Sequence, residues 1–273
     1  MWYADHYMPN TGTTDIKPGD MHECWAMLAA VAALTQRIRI GSLVAPTSVH
    51  HPAVLANRSA TIDHISGGRM VLGLGAGWQI NEHHAYGIEL EPPGRRVTRF
   101  EEAVQIVRSL HTQARTTFDG SVFTITDATC DPKPIQSPLP ILIGTASPRM
   151  LRITGRHADE WNTWGGRQWA AERRAIFESV MAAVGRELST IHTSVNALIH
   201  ITDSDDARDT ALSGPMAPRS IAGSIGELVD TLGWYTELGF DEFIVPDFHL
   251  GRTPQERAER LDRIDRELVS QLT

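Results

Sequence analysis

The feature that most constrains this chain is a rhythm. Short, continuously apolar segments alternate with longer stretches of helical character. Cys24 to Thr35 is rich in alanine and leucine and apolar nearly all round, the pattern of a well-buried helix. Arg37 to Val44 alternates and then turns continuously apolar, as a buried strand does. Pro52 opens a second helix, stopped near Ile65 by Ser66-Gly67-Gly68, and Arg69 to Gly75 is the next strand. A long helix follows over Arg95 to Ala114, with apolar residues at Phe100, Val104, Val107 and Leu110. Thr117 to Phe123 reads as a hairpin, because Asp119-Gly120 suits a type I′ turn. Strands over 141–143, 160–162, 193–201 and 242–245 then alternate with helices over 148–157, 169–184 and about 225–238. A charged amphipathic helix, Pro254 to Leu272, ends the pattern.

With the opening segment Met1 to His6 counted as a strand end, seven strands are joined through helices. Such connections predict an α/β protein with a parallel sheet and right-handed crossovers. The count fits an open doubly wound sheet or an eight-stranded TIM barrel short by one strand, and the barrel is favoured. No composition break divides the chain, so one domain over residues 1–273 is expected.

Composition narrows the function classes. Thirty-three acidic against 25 basic residues give a net charge of −8, a surface that repels nucleic acid. The longest apolar run, Cys24 to Leu34, is far short of the roughly 18 residues of a membrane span. Two cysteines cannot build a disulfide framework, and no secretory leader pattern opens the sequence. A cytoplasmic protein acting on a small molecule, without membrane or nucleic-acid partners, is the expectation.

In parallel α/β architectures ligands bind at the carboxyl ends of the strands. Those ends hold small residues, aromatics and few ionisable groups, which suits a flat ring better than a hydrolase's paired carboxylates. Gly73-Leu74-Gly75-Ala76-Gly77-Trp78 is not a dinucleotide fingerprint, because the third glycine falls on Trp78. Two readings of it stand: close backbone approach at a strand end, or Gly75-Ala76-Gly77 offering amides to a ligand with Trp78 as a wall. Gly144-Thr145-Ala146-Ser147-Pro148 runs from a strand into a helix start, so it reads either as an anion site or as an ordinary serine cap. His50-His51 and His83-His84 lack the spacing of a metal pair, and no metal is expected. His6, at a strand's carboxyl end, is placed for proton transfer or for a structural bond to a carbonyl. Asp63, Arg69 and Asp159 flank helix and strand starts, where turn and ion-pair roles are expected.

Together these motifs resemble the luciferase-like monooxygenase superfamily, and within it the branch of coenzyme F420-dependent oxidoreductases. The residues that carry the resemblance are Trp2 to His6, Thr35 to Val44, His51 to Ala56 and Asp63 to Arg69. Gly73 to Trp78 with Glu82, Pro140 to Gly144 and Ala158 to Asn162 continue it. It is good over about residues 1–165 and returns weakly at Gly223 to Val245, where Gly223-Ser224-Ile225-Gly226-Glu227 departs from the usual helix start. The resemblance implies a bacterial luciferase-like (β/α)8 barrel, here without its first strand and helix. It implies a deazaflavin packed by the Ser42-Leu43-Val44 bulge, where relatives often carry a non-proline cis peptide. The cofactor's phosphate would meet the backbone at Gly75-Ala76-Gly77 and Gly144-Thr145-Ala146. His6 would lie beside the reactive ring carbon, with Trp78, Trp161 and Trp164 lining the substrate pocket. Trp78 stands where some relatives have a catalytic acid, so that proton step is not carried over. The implied activity is hydride transfer between F420 and a small organic substrate. The alternatives are an FMN-dependent monooxygenase, a non-catalytic cofactor binder and an unrelated barrel hydrolase. Relatives are often dimers through barrel helices, so a homodimer is the implied assembly. Because the family's first strand and helix precede the Trp-x-x-Asp-His segment, Met1 is expected to be an internal methionine of a longer chain.

Overall fold

The computed structural model describes residues 1–272; residue 273, the last of the expected single domain, lies outside the described residues. The chain divides into two compact units, Met1–Thr145 with Ile153–Asp159, and Ala146–Arg152 with residues 160 onward.

The first unit begins with β1 (Trp2–Tyr3), α1 (Cys24–Leu34), β2 (Ile40–Ser42), β3 (Ala45–Pro46), α2 (Pro52–Ser66) and β4 (Met70–Gly75). It continues with α3 (Ile80–Tyr86), α4 (Pro93–Thr112), the hairpin β5 (Thr116–Asp119) and β6 (Thr124–Ala128), and β7 (Ile141–Gly144). The strands run parallel in the order β1-β2-β4-β7, and β3 pairs the carboxyl end of β4. Every residue of β4 is buried, as expected for a parallel strand covered on both faces. The stripe Phe100, Val104, Val107 and Leu110 of α4 is buried as its period requires, alongside Ala103 and Ile106. Each of these side chains larger than alanine stabilises the unit by roughly 1.5–3 kcal/mol. Helix α2 starts on Pro52 and stops at Gly67, whose φ of 68° is a left-handed cap open to glycine.

Three residues close the joints between these elements. Arg69 donates to the carbonyls of Ala32, Thr35, Ile38 and Ser66, sealing the ends of α1 and α2. Asp63 accepts from the amide and side chain of Gln136. Asp159 takes the Ile141 amide at 2.8 Å and pairs with Arg108. These are the turn and ion-pair roles expected of them.

Helix α5 (Pro148–His157) joins the two units in sequence. The second unit holds β8 (Glu160–Trp164), α6 (Arg167–Ala183), β9 (His192–Asn196), β10 (Leu198–Ile201) and α7 (Asp205–Ala211). It ends with β11 (Ser220–Gly223), α8 (Ile225–Glu237), β12 (Glu242–Ile244) and α9 (Pro254–Glu267). Here β8-β9-β12 form one parallel set and β10-β11 another. Ser224 and Glu227 form a reciprocal cap at the start of α8, so the departure from the family's usual sequence still starts a helix. Among the described residues no helix is long and apolar enough to cross a membrane.

The structure corrects the sequence reading in three places. The segment 37–44 is strand only over β2, and the chain then bulges before β3. The segment 193–201 is two strands, because β9 pairs β8 and β12 whereas β10 pairs β11, and the change of partner breaks the ladder at Ala197. The hairpin has no two-residue Asp-Gly turn: Asp119 pairs Thr124, and Gly120 to Phe123 form the loop. Glu102 replaces the missing turn chemistry, its carboxylate accepting the amides of Ser121, Val122 and Phe123. Helices α3 and α7 and strand β11 are short elements that the sequence pattern does not signal.

Candidate active site

The site of the first unit is built where β1 ends. Successive side chains of an extended chain point to opposite faces. Asp5 is buried, its Oδ2 accepting from His50 Nε2 at 2.8 Å and Trp25 Nε1 at 3.1 Å. His6 turns the other way and places Nδ1 3.0 Å from Oε1 of Glu82. A carboxylate can only accept, so Nδ1 carries the proton and Nε2 is left for other chemistry. Glu82 itself is 2% exposed, and its second oxygen accepts the Tyr7 amide at 3.1 Å. Helix α3 fixes this carboxylate by gripping the chain after β1: Gln79 donates to the Met8 carbonyl and Asn81 to that of Pro9, each at 2.8 Å. Trp78, 57% exposed, meets the His6 ring edge to face, with centroids 5.5 Å apart. A large, open indole beside an oriented imidazole is an unusual surface, and a flat ligand would cover it.

The bulge after β2 lies in the same unit. Ser42 is buried with its hydroxyl on the Gly73 carbonyl at 2.8 Å, which leaves it no face for a ligand. Leu43 and Val44, joined by a cis peptide, are half-buried. Val44 packs over two glycines. A Cβ on Gly75 would lie 2.7 Å from Val44 Cγ2, and one on Gly144 would lie 3.0 Å from Cγ1. Close approach thus leaves no room for a side chain at residue 75 and little at 144. Ala76 and Gly77 are half-buried, and Arg96 donates to the Gly77 carbonyl at 2.5 Å. Thr145 and Ala146 are half-buried in the turn between β7 and α5.

Two tryptophans expected in the pocket belong to the second unit. Trp164, half-buried at the carboxyl end of β8, has the Arg219 guanidinium over its ring at 5.3 Å. Trp161 is corrected outright. It is fully buried and stacked on Phe177 at 4.1 Å, a core side chain and not a pocket wall. Alternation along β8 explains this, since Asn162 occupies the opposite face and bonds Ser194 and Asn196 of β9.

Glu82 is the site residue that sequence reasoning misses. Its one signal was its place after the Gly73 to Trp78 motif. The paired histidines have ordinary partners: His83 bonds Ser48 and the Gln79 carbonyl, and His50 bonds Asp5. Among the described residues no group of three or more His, Cys, Asp or Glu side chains is arranged to hold a metal ion.

The geometry and the motifs define one class. The family model described as luciferase-like monooxygenase matches residues 1–266, and the chain belongs to that family. An uncharacterized protein of Mycobacterium tuberculosis is 34% identical over 184 residues, 66% of this chain and 64% of that protein. The F420-dependent glucose-6-phosphate dehydrogenase of Kineococcus radiotolerans is 33% identical over 168 residues, 61% of this chain and 48% of that enzyme. The matched region is thus about half to two thirds of these relatives' length. Among solved structures, the coenzyme F420-dependent tetrahydromethanopterin reductase of Methanopyrus kandleri superposes with a TM-score of 0.81 at 17% identity, covering 100% of this chain and 90% of that one. The monooxygenase RslO1 of Streptomyces bottropensis gives 0.74 at 22% identity, covering 92% and 83%. These likenesses show the luciferase-like α/β fold expected from the sequence.

Proposed function

We propose that the protein is an F420-dependent oxidoreductase that transfers hydride between the deazaflavin and a small organic substrate. The observation that carries the reading is the Glu82–His6 pair, a buried carboxylate that aims a part-exposed imidazole beside the open indole of Trp78. The residues fit a flat ring: Leu43, Val44 and Trp78 are apolar and accessible, and none of them is charged. When bound, a deazaflavin supplies a carbon that gives or takes two electrons as hydride. Trp78 and the Leu43–Val44 bulge would hold the ring and keep water from that carbon. His6 would move the accompanying proton at Nε2, because Nδ1 is committed to Glu82. Glu82 would keep the ring in that tautomer and steady the imidazolium when it forms.

Titrating the protein with F420 and with FMN while following ring absorbance tests the reading. Saturable binding of F420, together with enzyme-dependent oxidation of reduced F420 by a carbonyl acceptor, is the expected result. Binding of FMN alone would transfer the site to flavin chemistry, and binding without turnover would reduce the protein to a carrier.

A further inference from the structure

The second unit contains a cavity of about 690 Å³ whose lining holds three arginines and one carboxylate. Residues 199–202 of β10 and its end, the segment after β12 and the first turns of α9 line it. This is the carboxyl-terminal side of the strands, where parallel α/β folds bind ligands. The arginines are Arg252, Arg260 and Arg263, and the carboxylate is Glu256. Glu256 is committed to the start of α9, accepting the amides of Arg252 at 2.6 Å and Thr253 at 3.4 Å. Arg263 is paired with Glu267 at 3.0 Å. Among the described residues, Arg252 and Arg260 have no ion-pair partner.

Two histidines stand among these cations. The rings of His200 and His249 lie 5.2 Å apart, edge to face. His249 Nε2 is 3.0 Å from the Ile199 carbonyl and therefore donates, which leaves Nδ1 as an acceptor; that atom is buried with no partner. Burial and then the neighbouring His249 hold His200 below the usual imidazole range. Two guanidinium groups without an ion pair and a buried ring nitrogen lacking a hydrogen bond therefore meet at one cavity, and they offer charge and a proton acceptor to an anion that itself carries a proton.

We infer that this cavity binds the phosphoryl group of a small phosphorylated molecule, Arg252 and Arg260 holding its oxygens and His249 Nδ1 sharing a proton with it. Guanidinium groups suit phosphoryl oxygens, with which they form charge-assisted hydrogen bonds. The volume far exceeds that of inorganic phosphate and falls in the range of small-molecule sites. Phe248, Leu250 and Ile264 supply an apolar wall for the rest of the ligand. The inference does not rest on the deazaflavin reading, because none of these residues belongs to the His6 site.

Calorimetric titration of the full chain, without cofactor and at constant ionic strength, tests it with phenyl phosphate, inorganic phosphate and benzyl alcohol. Phenyl phosphate is expected to saturate one site, inorganic phosphate to bind the same site more weakly, and benzyl alcohol not to bind. Arg252→Gln and Arg260→Gln, both at exposed positions, should each weaken phenyl phosphate by about tenfold, the loss of one charge-assisted hydrogen bond. His6→Ala and Trp78→Ala should leave that binding unchanged. Absence of saturable binding by either phosphate would overturn the inference. So would affinity indifferent to both arginine variants, or binding lost in His6→Ala or Trp78→Ala.

Discussion

Glu82 and Glu102 are both buried carboxylates of the first unit, on α3 and α4, and their oxygens are used in opposite ways. Glu102 accepts four hydrogen bonds, from the amides of Ser121, Val122 and Phe123 and from the Ser121 hydroxyl. Burial alone would raise its pKa, but these bonds outweigh it and hold the carboxyl below the usual range. Nothing in that arrangement reaches outward. Glu82 spends one oxygen on the Tyr7 amide and the other on His6, and His6 is part-exposed. Charge enclosed by backbone makes a joint, whereas charge passed to a part-exposed ring orients a nitrogen that the proposed reaction can use. Two histidines repeat the contrast. His111 is sealed, its Nε2 near the Ser59 hydroxyl and the Ala56 carbonyl, while His6 opens beside Trp78.

The largest effect should come from His6→Ala. Turnover is expected to fall by about 10²–10⁴-fold, the range of general acid–base catalysis, while absorbance titration shows the cofactor still retained. Loss of cofactor retention in a folded variant would break the comparison at its open end. Glu102→Ala should do the reverse. It strands loop amides and is expected to cost about 2–3 kcal/mol of stability in urea unfolding, with turnover of the folded fraction unchanged. A fall in turnover per folded molecule would mean that the hairpin loop takes part in the site.

Glu82→Gln keeps an acceptor for Nδ1 but removes the charge. Turnover should drop by about tenfold, with little change in KM and a displaced acid limb in the pH–rate profile. A profile identical to wild type would make Glu82 merely structural. The smallest effect concerns His111, which burial, and then the nearby Arg108, lowers to about 4. A histidine depressed in the folded state binds its proton first in the unfolded chain, so stability is full above pH 6.5 and declines towards pH 4. At pH 6 the cost is about 1 kcal/mol. Comparing the pH dependence of unfolding in wild type and His111→Asn measures it, and identical slopes would show that His111 is not sealed.

What could be read from the sequence follows the range of the interactions. Helix α2 and strand β4 were legible because their boundaries are local, with Pro52 at one end and Gly67 at the other. Helix α4 was legible because its apolar stripe repeats over several turns. Helix α3 was not, since seven residues carry too little period and its role is to hold a chain more than 70 positions away. For the same reason His6 could be placed at a strand end while its partner, 76 residues on, could not be named from spacing. The break at Ala197 depends on which strands become neighbours, which no local pattern encodes.

Val44, seated over Gly75 and Gly144, has a consequence for how this region can change. A methyl group at Gly75 collides with the valine and one at Gly144 crowds it, whereas a smaller residue at 44 leaves a void that such a methyl could fill. The three positions therefore share one fixed volume, and the order of substitution decides which sequences can be reached. Shrinking residue 44 first opens a route to alanine at 75 or 144; beginning at Gly75 closes it. The mouth of the first unit is thus a place where the path of divergence depends on its first step.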